Sequence, residues 1–187
     1  CNLFMVPLLM RYFALTLSQA ALSTGVIVGV SGLIGLTAGG WLADRTHQKW
    51  PRGRLLFGAL SLALATLLTG APLLAGRIEA AWFVGLFSVG WLCSYCFYTT
   101  AYPAIQDVVE PRLRATAMAL FFAGLYLLGG GLGPVVVGLL SDRFAEAARL
   151  AAGAADMREA FKAAGLHDAL YVIPVALLLT TVFLFQA

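Results

Sequence analysis

Apolar residues fill five long stretches of this chain, 19–43, 55–75, 80–104, 115–140 and 169–187, and charge is confined to short clusters between them. A helix rising 1.5 Å per residue needs about twenty such residues to cross about 30 Å of hydrocarbon. Each stretch therefore predicts one complete membrane-crossing helix. A sixth stretch, 1–10, is apolar over only about half a crossing, which predicts a truncated helix that begins upstream. The segment 144–165 breaks the pattern, because Glu146, Arg149, Asp156, Arg158, Glu159 and Lys162 punctuate an alanine-rich run. It is too polar to span, and reads either as a short helix lying at the interface or as a solvated helical linker.

Composition sharpens the class. With 61% hydrophobic and 11% charged residues and a mean hydropathy of +0.89, the chain lies far from the roughly half apolar, quarter charged usage of soluble domains. The expected fold is an all-α integral membrane bundle of five complete helices and one truncated helix, multi-pass. The formal charge of +3 comes from cations in loops with no aromatic-basic surface beside them, so membrane lipids rather than nucleic acid are the expected neighbours. Three cysteines make an odd count, and Cys93 and Cys96 sit inside an apolar run. They read as buried and inert, with no metal site and no cofactor implied.

Within the spans, the fourth carries the most chemistry. Trp91, Tyr95, Tyr98 and Tyr102 recur at i, i+4, i+7 and i+11 and so share one helical stripe, flanked by Ser94 and Thr99. Phenol and indole groups inside hydrocarbon need polar partners, which favours a stripe facing a cavity over one facing lipid. An interfacial aromatic belt accounts for Tyr102 but not for all four. Gly25, Gly29, Gly32 and Gly40 form one stripe of small residues and Gly35 and Gly39 a second, both suited to close helix approach. In the fifth span, Gly129-Gly130-Gly131-Leu132-Gly133-Pro134 predicts a bend, since Pro134 removes a backbone hydrogen bond. No ionisable group sits mid-span; Arg11 and Asp107, near span edges, are the candidates for ion coupling. His47 and His167 read as solvated loop residues.

If spans alternate direction, the loops 44–54 and 110–114 share one face. Their cations are Arg45, Lys49, Arg52, Arg54, Arg112 and Arg114, balanced by Arg11, Arg77, Arg143, Arg149, Arg158 and Lys162 opposite. The positive-inside bias therefore does not orient the chain. Asp44 reads as following a helix C-terminus, where a carboxylate opposes the helix dipole unless Arg45 or the start of a neighbouring helix offsets it. The alternatives are a conformational latch and an ordinary charged stop. An echo, Gly138-Leu139-Leu140-Ser141-Asp142-Arg143, closes the fifth span as Gly40-Trp41-Leu42-Ala43-Asp44-Arg45 closes the second, the placement that inverted repeats produce. Glu110 and Arg114 stand at i,i+4 and can pair if helical, with Pro111 at the first helical position.

Gly40-x-x-x-Asp44-Arg45, followed by the basic stretch ending Arg52-Gly53-Arg54, resembles the signature loop of the major facilitator superfamily. Its insertion is longer than usual, so Asp44 carries the match more firmly than Arg52 and Arg54. Glu110-x-x-x-Arg114 resembles the family's matching cytoplasmic loop. The stretch from Tyr102-Pro103-Ala104 to Thr116-Ala117, with Gly133-Pro134 and Gly138 to Arg143, is similar to the spinster-like branch. The resemblance covers essentially the whole chain. It implies the carboxy-terminal six-helix half, helices seven to twelve, of a twelve-helix fold, occupying 1–187 and partnered by an amino-terminal half. It also implies cytoplasmic 44–54 and 110–114 loops, a gating role for Gly40, Asp44, Arg45, Arg52, Arg54, Glu110 and Arg114, and residence in a bacterial inner membrane or its equivalent. The function implied is secondary transport of a small, amphipathic or lipid-like solute, lysophospholipid or sphingolipid-like in the spinster branch. An integral-membrane enzyme is the rival class, but it needs a nucleophile-base pair or a metal cluster, and no mid-span His, Asp or Glu supplies one. A non-transporting membrane scaffold fits the glycines but leaves the Asp44-Arg45 loop without a purpose.

Overall fold

A computed structural model of the chain describes residues 2–50, 52–75, 79–154 and 156–186. Pro51 of the signature loop and Arg77 of the opposite loop lie outside the described residues. Every regular element among the described residues is a helix. A 3-10 turn leads into α1 (Met5–Tyr12), and five helices long and apolar enough to cross a membrane follow: α2 (Leu17–Lys49), α3 (Gly53–Leu74), α4 (Ala80–Asp107), α5 (Arg114–Ala151) and α6 (Glu159–Gln186). The chain is thus an integral, multi-pass membrane bundle.

Local chemistry sets the helix ends. Thr16 opens α2 with a reciprocal capping box, its hydroxyl accepting from the Gln19 amide while the Gln19 side chain accepts from the Thr16 amide. The C-terminal end of α2 overruns the apolar stretch and stops only at Lys49. Lys49 complements the dipole in that last turn, which also holds the exposed His47 that the sequence placed in a loop, and Trp50 leaves it in an extended conformation. Asp44 therefore sits inside the helix, not beyond its end as the sequence suggested.

The polar segment 144–165 is also resolved differently from either expectation. Residues up to Ala151 continue α5, and the chain turns at Gly153, whose φ of +61° is the left-handed conformation that ends many helices. Arg149 secures the turn, its guanidinium donating to Glu146 and to the Ala154 carbonyl at 2.9 Å. Asp156 and Arg158 lie in the connection, and Glu159 and Lys162 open a short helical segment, Glu159–Ala169, that leads into the last span as the first part of α6 instead of lying alone at the interface. Between Ala169 and Val172 α6 makes a turn. Pro174 has no amide to offer the Leu170 carbonyl, and Ile173 donates there instead, at 2.9 Å.

Two π-helical segments interrupt the long helices, Val26–Val30 in α2 and Leu125–Leu132 in α5. The second occupies the glycine run just before Pro134. There the missing proline amide is absorbed by a widened turn, and α5 remains continuous from Arg114 to Ala151.

Helix α4 is the hub, packed against both α2 and α3, while α6 covers α3 and α5. Close approach depends on specific glycines. A Cβ at Gly35 would stand 2.6 Å from the Leu92 carbonyl oxygen, and one at Gly39 2.8 Å from the Cys96 Cα. Gly32 adds to this line by seating the Tyr95 ring. The other predicted stripe is not an interface within the chain, since a Cβ at Gly25, Gly29 or Gly40 would meet nothing within 4 Å. On α3, Gly58 and Thr69 meet Thr100 and Gly90 of α4 in the same manner. The apolar core gathers at the end remote from the signature loop, where Met5, Leu8 and Leu9 of α1 join Leu73, Phe83, Phe87, Leu166 and Leu170. Almost none of α5's apolar face is buried within the chain.

Candidate functional site

Two constellations carry chemistry, one at the loop end and one in the bundle. At the loop end Arg54, in the first turn of α3, reaches two carboxylates at once. Its Nη2 lies 3.2 Å from Asp44 Oδ1 on α2, and its Nη1 3.2 Å from Asp107 Oδ2 at the end of α4. One planar guanidinium thus clasps three helices, using the fork geometry that an ammonium lacks. The Arg54 side chain is 16% exposed against 69% and 62% for the two carboxylates, so the cation is the sheltered member. The partner of Asp44 is Arg54, not the adjacent Arg45, whose guanidinium instead lies 5.1 Å from the Trp41 ring centre on its own helix.

The remaining loop residues of the sequence assignment lie apart from this clasp. Arg52 is exposed and makes no ion pair among the described residues. Pro111 stands in a turn closed by the Leu113 amide on the Glu110 carbonyl at 2.8 Å, and the helix begins only at Arg114. Glu110 and Arg114 are therefore not on one helical face, and Arg114 Nε donates to the Val109 carbonyl at 3.4 Å. Gly40 has open space around it. Asp107, which the sequence offered as an ion-coupling candidate and not as part of the latch, is the last residue of α4 and joins the clasp.

In the bundle, a cavity of about 390 Å³ opens between α4, the π segment of α5 and α6. Trp91, Ser94, Tyr95 and Tyr98 form its α4 wall, Gly129 faces it from α5, and Ile173, Leu177 and Thr180 are among its α6 lining. The wall belongs to a longer row of rings, stacked from Phe83 to Trp91 and tilted among the tyrosines. Phe83, Phe87 and Trp91 run up the helix with centroids 5.0 and 5.7 Å apart, and Tyr95, Tyr98 and Tyr102 continue at 6.2 and 5.7 Å. Tyr102 itself leaves the cavity and packs on Phe121 and Phe122. Thr99 is turned to its own helix, its hydroxyl on the Cys96 carbonyl at 2.7 Å. The α6 contribution, Thr180 above all, was invisible in the sequence, because nothing in a uniformly apolar run marks which face meets a neighbour. No charged side chain lines the cavity among the described residues.

His167 departs from its solvated reading. It is 7% exposed, stacked on Tyr12 with centroids 4.5 Å apart and its Nδ1 3.2 Å from Asp168 Oδ1. A lone histidine between apolar stretches gave no sign that α1 would cover it. Cys93 and Cys96 are free and buried.

Against known proteins, the family model described as Major Facilitator Superfamily matches residues 2–134. An MFS-type efflux pump of Mycolicibacterium smegmatis is 35% identical over 142 residues, 74% of this chain and 32% of the pump. Protein spinster homolog 3 of Mus musculus is 34% identical over 126 residues, 67% of this chain and 24% of that protein. The hexuronate transporter of Bacillus subtilis is 29% identical over 136 residues, 70% of this chain and 32% of that protein. The chain spans about a third or less of the length of these relatives.

Proposed function

The chain belongs to the major facilitator superfamily, and on that footing we propose that it is the carboxy-terminal half of a secondary transporter that moves an amphipathic solute by alternating access. The observation that carries this reading is the cavity, charge-free among the described residues, walled by Trp91, Tyr95 and Tyr98, with Ser94 and Thr180 in its lining, whose hydroxyls donate to the Gly90 and Ala176 carbonyls of their own helices and keep lone pairs free to accept. Broad aromatic faces offer apolar contact while a few polar tips orient a headgroup. Hexuronate, the cargo named for the Bacillus subtilis relative, is an anion, and the described lining holds no cation to meet one. An amphipathic or lipid-like molecule suits it better.

The other wall of the solute path belongs, in this proposal, to an amino-terminal half. The exposed apolar face of α5 supports a further covering surface of that kind or of lipid. Alternating access then requires a device that favours one state at the loop end. The Asp44–Arg54–Asp107 clasp ties α2, α3 and α4 together there, and releasing it frees those ends to separate. A bias of about 1.4 kcal/mol already changes the population ratio of two states tenfold.

The test is flux of a radiolabelled lysophospholipid into vesicles containing the full-length protein. Uptake above protein-free vesicles, lost in Tyr95→Ala and Tyr98→Ala, supports the reading. Uptake equal to protein-free vesicles with correctly inserted protein refutes the cargo.

A further inference from the structure

A second groove lies at the loop end on the outside of the bundle, between the start of α3 and the end of α6. It encloses about 220 Å³ and is lined by Arg52, Leu55, Leu56, Ala59, Leu184 and Phe185. Positions 52, 55, 56 and 59 form one helical face at i, i+3, i+4 and i+7. Because α3 runs from the loop into the bilayer, Arg52 stands at the membrane surface and Ala59 about 10 Å deeper at 1.5 Å per residue. That drop matches the step from headgroup level into hydrocarbon, the headgroup layers being about 5–8 Å thick on each side.

We propose that this groove is a binding site for an anionic phospholipid, with the phosphate on Arg52 and the upper acyl chain against Leu55, Leu56 and Phe185. Arg54 is consumed by Asp44 and Asp107, which leaves the exposed guanidinium of Arg52 with no carboxylate among the described residues. A guanidinium fork meets a phosphate bidentately. The small side chain of Ala59, buried at 1% exposure, forms the floor, while Leu55, Leu56 and Phe185 remain exposed as walls. On this face the cations Arg45, Lys49, Arg52, Arg54, Arg112 and Arg114 outnumber the carboxylates Asp44, Asp107 and Glu110. The excess selects a net negative lipid over a zwitterionic one. Arg52 and Arg54, which the sequence grouped as one basic stretch, thus do different work two residues apart.

The experiment is native mass spectrometry of the full-length protein in detergent, offered equal amounts of palmitoyl-oleoyl phosphatidylglycerol and phosphatidylcholine. The wild type retains phosphatidylglycerol preferentially, Arg52→Gln weakens that retention about fivefold, the worth of one surface cation, and Arg52→Lys, which keeps the charge but not the fork, restores only part of it. Leu56→Trp, which fills the groove without touching the charge, lowers retention as well. Melting temperatures check folding, and if Arg52→Gln proves unstable the Leu56→Trp result decides. Equal retention of the two lipids by wild type, or unchanged retention in Leu56→Trp, overturns the site.

Discussion

At the scale of single residues, the clasp separates a role in switching from a role in folding. Asp44 is 69% exposed as a side chain, and exposed ion pairs stabilise by about 1 kcal/mol at most. Asp44→Asn is therefore expected to lower stability by no more than about 1 kcal/mol while impairing transport several-fold, with flux and melting temperature measured on the same full-length preparation. Normal flux in a well-folded variant removes the gating role. Arg54→Gln is expected to be worse than either single carboxylate change, because it releases Asp44 and Asp107 together and its own side chain is the sheltered one. A double-mutant cycle between positions 44 and 107 checks the shared cation, and strict additivity contradicts it. Asp44 was legible in the sequence because a carboxylate at a span edge needs a partner. Which arginine supplies that partner was not, since it depends on how α3 starts beside α2.

At the scale of helices, small residues decide which faces meet, and only some of them do. Replacing Gly35 or Gly39 with leucine drives a side chain into α4 backbone at Leu92 or Cys96, and overpacking of this kind costs about 1–3 kcal/mol. Gly25→Ala and Gly40→Ala meet open space and are expected to melt within a degree or two of wild type, since surface changes of that kind move stability by about 0.5 kcal/mol or less. Equal losses in both sets contradict the packing described. Sequence periodicity placed both glycine stripes on α2 but carried no information on which one faces a neighbour. The same limit explains α5 and α6. Glycine and proline announced a perturbation near residue 134, yet whether the helix bends, breaks or widens into a π turn is settled by what surrounds it. The charged segment after Phe144 looked like a separate element because helix ends above a membrane carry the same polar composition as a surface helix, and only Gly153 fixes the turn.

At the scale of the whole molecule, alternation of spans puts residues 48 and 112 on one face. Single cysteines placed there in the full-length protein, probed with an impermeant reagent from one side, are expected to react together or not at all, and opposite accessibility refutes the bundle's topology. The number and class of the helices were legible from hydropathy alone, because the bilayer imposes its thickness on every span. The cavity was half legible. Of the four aromatic residues at helical spacing, Trp91, Tyr95 and Tyr98 form the α4 wall and Tyr102 does not, whereas the α5 and α6 walls are tertiary. Transport through this cavity requires that it hold an amphipathic solute, and equilibrium binding measures this most directly. A fluorescent lysophospholipid is titrated into purified full-length protein in detergent, and into Trp91→Ala, Tyr95→Ala and Tyr98→Ala, with melting temperature as the folding control. Loss of one aromatic contact predicts weakening of about tenfold in each variant at temperatures where the melting curve shows it still folded. Wild-type affinity in all three contradicts it and leaves the rings as a packing feature of the bundle.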